Sequence, residues 1–327
     1  MALTSTFVRS VLATAVVVLA LAGGLVRGEI RNPLGEGFDY DLSALKKVEP
    51  QLLLYDERDP VPVSMQTPTG LTVDSRGAIV LVGGDRLVVL DRGGRELRSS
   101  QLAGVAGCVA CDADGLLFVG LRDRVQVLPA TGGEGAGAVW DGVGEDAFLT
   151  GIAVSDDRVF AADAGQRVVH TFAKDGTRGR DIGAAASRES PAHFVIPSPC
   201  FDVAPGPDET FWVVNPGRHS LENYRPDGTL IASWGKASMR HEGFCGCCNP
   251  THLAVGKDGT FVTAEKGLVR VKLYGPLGDF RGVVAPPSSF TDATVGLDVA
   301  VDRDGNVLVL DPVRRQVRVF TQKARAR

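Results

Sequence analysis

One sequence unit is written six times between Gly70 and Gln322. Its first copy runs Gly70-Leu-Thr-Val-Asp74, a turn at Arg76-Gly77, Ala78-Ile-Val-Leu-Val82, a turn at Gly83-Gly84-Asp85, Arg86-Leu-Val-Val-Leu90 and a turn at Gly93-Gly94. It restarts at Cys108, Gly151, Phe201, His252 and Leu297. The mean period is about 42 residues, the length at which four short strands make one propeller blade. Sandwiches and barrels also space strands 8–12 residues apart, but they do not need a fixed period. The β-branched runs and dense turns exclude a helical solenoid. The expectation is an all-β chain, a six-bladed β-propeller over residues 51–322.

The sixth unit shows how the ring closes. It supplies Leu297–Val301, Val307–Leu310 and Gln316–Phe320, and then only the tail Lys323–Arg327 remains, read as loose. Its fourth strand is missing. The run Gln51-Leu-Leu-Leu-Tyr55 belongs to no unit. Placed as the outer strand of the last blade against residues 316–320, this N-terminal strand closes the ring and removes an exposed edge.

Upstream, Arg9 precedes an apolar run from Val11 to Val26, and Ala20-Leu21-Ala22 has the small-x-small form of a cleavage site. Residues 1–26 read as a signal peptide or as an N-terminal membrane anchor, since the run is slightly short for a span of about 20 residues. Residues 27–50 read as a polar linker. Either reading places the bulk of the chain outside the cytoplasm, periplasmic, secreted or tethered to the membrane. The formal net charge of −4, with no basic stripe, argues against nucleic acid as a partner.

Within the repeats one stretch is unlike the rest, Gly243-Phe-Cys245-Gly-Cys247-Cys248-Asn249-Pro250. Five of the six units resemble NHL repeats, the six-bladed propeller type. Over Ile196–Phe290 the strings Ile196-Pro-Ser-Pro, Val214-Asn-Pro-Gly-Arg-His219, Gly243–Pro250, Thr263-Ala-Glu-Lys-Gly267 and Arg270-Val-Lys272 resemble an exported bacterial NHL-repeat subfamily with no assigned activity. The resemblance implies the fold. It implies no chemistry.

Strand alternation sorts the loops. With strands a to d counted outward, the a–b and c–d turns leave from one end; they are plain Asp-Gly turns such as Lys257-Asp-Gly259 and Arg303-Asp-Gly305. The b–c loops and d–a connections leave from the other. That rim should gather Asn215, Arg218, His219, Glu265, Lys266 and Asn249 with Cys200, Cys245, Cys247 and Cys248, over units four and five.

Two chemistries compete there. In an oxidising compartment the cysteines are disulfide staples. Six cysteines allow 15 connectivities, and the adjacent Cys247 and Cys248 are expected to pair elsewhere, with Cys245, Cys200 or Cys108. Alternatively, three close thiolates with Cys200 or His241 suit zinc or copper. Asp163, Asp311 and Glu265 are weaker candidates for a central calcium. Cys108-Val-Ala-Cys111 lies in an inner strand, where positions three apart face opposite ways, so it reads as buried thiols. Arg218, Glu265 and Lys266 could bind an anionic group or simply tie blades together. His170, His193, His219, His241 and His252 are scattered, and no Ser-His-Asp order or Gly-x-Ser-x-Gly elbow is present. The leading expectation is a scaffold binding a protein, peptide or glycan through this rim. The rival is a metal- or thiol-dependent enzyme or redox protein using the same rim.

Overall fold

The structure is a computed structural model that describes residues 43–129, 137–183 and 193–324. The chain divides into two units, Met1–Ala44 and Leu45–Arg327. Only Ser43 and Ala44 of the first are among the described residues, so the signal or anchor segment lies outside them, as does the end of the tail. Among the described residues no helix is long and apolar enough to cross a membrane.

Strands are numbered in chain order. The chain enters through β1 (Tyr55–Glu57) and β2 (Val61–Pro62), then lays down six antiparallel sheets. Blade 1 is β3 (Gly70–Val73), β4 (Ile79–Gly83), β5 (Arg86–Leu90) and β6 (Glu96–Gln101). Blade 2 is β7 (Ala106–Cys111), β8 (Leu116–Leu121), β9 (Val125–Pro129) and β10 (Ala138–Val139). Blade 3 is β11 (Leu149–Val154), β12 (Arg158–Asp163), β13 (Val168–Ala173) and β14 (Arg178–Ile182). Blade 4 is β15 (Val203–Pro205), β16 (Phe211–Asn215), β17 (Ser220–Tyr224) and β18 (Leu230–Trp234). Blade 5 is β19 (His252–Val255), β20 (Phe261–Glu265), β21 (Arg270–Tyr274) and β22 (Phe280–Ala285). Blade 6 is β23 (Asp298–Val301), β24 (Val307–Asp311) and β25 (Gln316–Gln322), completed by β1 and β2. The inner strands neighbour one another around a ring that β23 closes against β3.

The second and third strands of each blade lie between two neighbouring blades, which is why they read as unbroken apolar runs. β4, β16, β20 and β24 are buried at every position. The core sits between blade faces and is most aromatic around blade 4, where Phe160 stacks on Phe211 at 4.7 Å and Trp212 meets Phe261 edge-on at 4.8 Å. Fully burying each such ring contributes roughly 1.5–3 kcal/mol.

Closure is by the N-terminus, shifted from residues 51–55. Tyr55, Asp56 and Glu57 pair with Gln322, Thr321 and Phe320, and Val61 and Pro62 pair with Val317 and Gln316. Residues Pro50–Leu52 form a 3-10 turn instead. Leu53 and Leu54 lie along the outer strand of blade 5, with Leu54 N donating to Val283 O at 3.1 Å. The apolar run marks burial over blade 5, and the strand proper begins where it ends. At the chain's other end Lys323 N donates to Leu54 O at 2.9 Å.

Candidate functional site

The rim over blades 4 and 5 is built on one repeated position. The last residue of strand b faces the third residue of strand c, and in blades 3 to 5 both are polar. Asp163 Oδ2 lies 3.1 Å from His170 Nε2, Asn215 Nδ2 lies 3.1 Å from Glu222 Oε1, and Glu265 Oε1 lies 2.7 Å from Lys272 Nζ. The side chains of Glu265, Lys272 and Arg270 are fully buried.

In blade 5 this pair anchors the cysteine loop. Glu265 Oε1 accepts from Arg270 Nε at 2.8 Å, and its Oε2 accepts from Arg270 and from the backbone N–H of Cys245. Lys272 Nζ donates to the Gly243 carbonyl at 2.6 Å and sits 4.3 Å from the centre of the Phe244 ring. Burial pushes the Glu265 carboxyl up, and the Lys272 and Arg270 charges more than reverse it, leaving it below the ordinary value. Burial draws the Lys272 ammonium down to about 8, against the pull of Glu265. A buried cation satisfied by loop carbonyls fixes the loop, because those carbonyls would otherwise lack donors.

Asn249 holds the loop's far end. Its Nδ2 donates to the carbonyls of Cys245 and Lys266, at 2.6 and 2.9 Å, and its Oδ1 accepts from Lys266 N at 2.9 Å. His219 takes a left-handed backbone (φ 57°), and its Nε2 donates to the Gly246 carbonyl. The Asn215–His219 loop and the cysteine loop therefore meet on one face. The tight turns gather on the other, where Lys174 bridges to Asp112 at 3.0 Å and Arg92 to Asp304 at 3.0 Å.

The expected site residues divide by exposure. Arg218 is exposed and His219 and Lys266 are half-buried, with Lys266 Nζ donating to Ser198 Oγ at 2.7 Å. Asn215, Asn249 and Glu265 are buried and bonded internally. His241 is half-buried, and its Nδ1 lies 3.3 Å from Arg270 Nη1; burial and the Arg270 and Lys272 charges hold it below the ordinary histidine value.

All six cysteines are free thiols in the structure. Cys245 is buried with its Sγ 3.7 Å from Glu265 Oε2, while Cys247 is exposed and its Sγ lies 2.8 Å from that of buried Cys248. The two adjacent sulfurs face each other and not separate partners. Among the described residues no three His, Cys, Asp or Glu side chains converge to hold a metal ion. Asp163 is taken by His170 and by three backbone N–H groups, and Asp311 Oδ1 by the Arg314 N–H.

Reading by loops overlooked Arg270, Lys272 and Glu222, which lie inside strands. The available signal was charge in the middle of otherwise apolar strand c, where only a buried counter-charge makes it tolerable. It also overlooked the channel mouth. Asp202 takes the N–H groups of Val203 and Leu253, and Asp298 those of Val299 and Leu71, so each carboxyl ties its blade to the next. Burial pushes Asp298 up to about 7; burial and then Asp298 raise Asp202 as well. His252, at the start of β19, is drawn down to about 4 by burial, and its Nδ1 has no hydrogen-bond partner.

No family model matches the chain, and no curated protein matches it. Solved structures do. A virginiamycin B lyase from Staphylococcus aureus superposes with a TM-score of 0.59 at 11% identity, covering 82% of this chain and 100% of that one. A streptogramin B lyase gives 0.58 at 13%, covering 84% and 100%. A protein of unknown function from Bacteroides thetaiotaomicron gives 0.58 at 13%, covering 82% and 73%. At these identities the likeness shows the six-bladed fold and nothing of the chemistry.

Proposed function

We propose that this chain is an extracytoplasmic propeller scaffold whose rim over blades 4 and 5 binds an acidic segment of a partner protein. The observation that carries this reading is the sidedness of charge. The rim's acids, Glu222 and Glu265, are buried and bonded internally, whereas Arg218, Lys236 and Arg240 are exposed. Two of these cations have a carboxylate at the edge of ion-pair distance: Arg218 Nη1 lies 3.9 Å from Glu222 Oε1, and Lys236 Nζ lies 4.0 Å from the half-buried Glu242. This cationic arc stands on a chain of net charge −4, so it is local and suits an anionic ligand. The loops beneath are fixed by Glu265, Lys272 and Asn249, which lowers the ordering cost of binding.

Export rests on the apolar run Val11–Val26 and is tested by fractionating cells that express a tagged chain. Binding is tested by fluorescence anisotropy with a labelled oligoglutamate peptide as probe and an oligolysine control. Wild type should bind the acidic probe, and R218A/R240A should bind it at least tenfold more weakly. Raising salt from about 0.1 M to about 1 M, where the screening length falls from about 10 Å to about 3 Å, should abolish binding. Absence of binding, or binding indifferent to both changes, removes the reading.

A further inference from the structure

The cysteine loop holds a feature that partner binding does not use. Cys247 and Cys248 are adjacent, yet their Sγ atoms approach to 2.8 Å. One is exposed and the other buried, so a reagent from solution meets Cys247 first. The surroundings favour an anionic sulfur. Lys266 is anchored to Ser198 Oγ at 2.7 Å, and both Ser198 and Lys266 reach the Cys248 sulfur. Burial raises the Cys248 thiol, but the Cys247 S–H, the Lys266 charge and Ser198 together bring it below the ordinary value. The other thiols lack this setting. Burial raises Cys108, Cys111, Cys200 and Cys245, with Cys111 pushed up to about 12, and the hydrogen bond to Cys248 raises Cys247, so within the pair Cys248 is the more acidic sulfur and Cys247 the more accessible one.

The frame around the pair is rigid on one side and open on the other. Asn249 clamps the loop to Cys245 and Lys266, as described above. At Gly246, before the pair, an added Cβ would meet nothing nearer than the Asn249 amide at 3.8 Å. The sulfurs are held together at the protein surface, with Cys247 open to solvent and Cys248 beneath it.

We propose that Cys247 and Cys248 form a reversible dithiol–disulfide site, in which Cys247 meets an external disulfide and Cys248 resolves the mixed disulfide. In the first step Cys247 Sγ attacks R–S–S–R′. A Cys247–S–S–R bond forms, the original S–S bond breaks, and R′S⁻ leaves, taking up the proton that Cys247 gives up. In the second step Cys248 Sγ attacks Cys247 Sγ and expels RS⁻, which takes up the remaining proton. The balance is one external disulfide reduced to two thiols and one protein dithiol oxidised, with two electrons moved. Proximity converts the second step into an intramolecular one. The inference is independent of the partner-binding reading.

The test uses the full chain with oxidised glutathione as probe, followed by alkylation, digestion and mass spectrometry. In wild type, the peptide carrying Cys247 and Cys248 should become resistant to alkylation and lighter by two hydrogens, and dithiothreitol should reverse this. C248S should stop at a glutathione adduct on Cys247. K266Q, which removes the charge that favours the Cys248 thiolate, should slow the second step several-fold at pH 7, so that the glutathione adduct on Cys247 persists longer. Should C248S fail to fold, the wild-type digest decides alone. A Cys247–Cys248 link carries the proposal. Two freely alkylated thiols, or a link from either cysteine to Cys200 or Cys245, overturns it.

Discussion

Lys272 Nζ lies 2.7 Å from Glu265 Oε1, with both side chains withdrawn completely from solvent. The pair is the floor of the cysteine loop, since the same ammonium caps the Gly243 carbonyl. Arg270 makes the cluster a triad of two cations on one carboxylate. The two directions of removal therefore differ. Glu265→Gln leaves two buried cations without a counter-charge and should cost about 3–5 kcal/mol, the range for breaking a buried pair. Lys272→Met keeps the Glu265–Arg270 pair balanced and should cost less than half as much. Urea midpoints of the two variants check the order; equal losses would mean that Arg270 alone does not satisfy Glu265.

What was legible in the sequence follows from what repeats. The period, the strand alternation and the missing last strand fix the ring, the closure and the face on which the unusual loops meet. The position of the closing strand was less legible. Leu52–Leu54 look like a strand because they are apolar, but they are apolar because they cover blade 5. The site was half legible. Loop residues announce themselves by Gly, Pro and Cys, whereas Lys272 and Glu222 lie in strands where a lone charge has no local partner to reveal it. From the sequence, Glu265 could bind a ligand or tie blades together; the b–c hairpin of blade 5 sets it against Arg270, and its role is internal to that blade.

Closure rests on Glu57 and Arg318. In blade 6 strand c presents Arg318, and its acid comes from the entering strand: Glu57 takes both guanidinium donors at 2.7 Å. Arg318 is 2% exposed. Glu57→Ala should destabilise by roughly 2–3 kcal/mol, near the low end for orphaning a buried charge because Glu57 itself is partly exposed. Removing residues 1–63 should do far more, since it opens the ring. Thermal melts of both variants measure this, and a truncated chain melting like wild type would show that β25 needs no partner.

Gly235 lies where the two rim loops press together. Its φ is +117°, and a Cβ there would lie 2.4 Å from the His219 carbonyl oxygen and 3.1 Å from the Phe244 ring. Gly235→Ala should cost about 2–3 kcal/mol, combining strained backbone with overpacking. It should also displace His219 from Gly246 and weaken any binding at Arg218. Chemical denaturation with the anisotropy assay reads both effects. A variant as stable as wild type would show that the contact yields freely.

The channel mouth gives a pH dependence with a definite sign. Burial pushes the Asp298 carboxyl up to about 7, against an ordinary 3.8. Its folded pKa lies above its unfolded one, so the folded state holds the proton more tightly between about 4 and about 7. The stabilisation is full below about pH 4 and is lost as pH rises through about 7. At about 1.4 kcal/mol per unit the limit is about 4 kcal/mol, a figure that already includes the lowering by the two backbone N–H groups that favour the charged form. Asp202, the neighbouring carboxyl, shifts in the same direction and adds to the slope, and the Cys108 thiol, raised far above its ordinary value, stays neutral throughout. Asp298→Asn keeps the shape, gives up one backbone acceptor and removes the titration. Measured by urea unfolding from pH 4 to pH 8, wild type should lose stability relative to Asp298→Asn by a few kcal/mol, most of it between pH 5 and pH 7. A difference that stays flat across that range would mean the carboxyl ionises freely, with water or a cation in the channel.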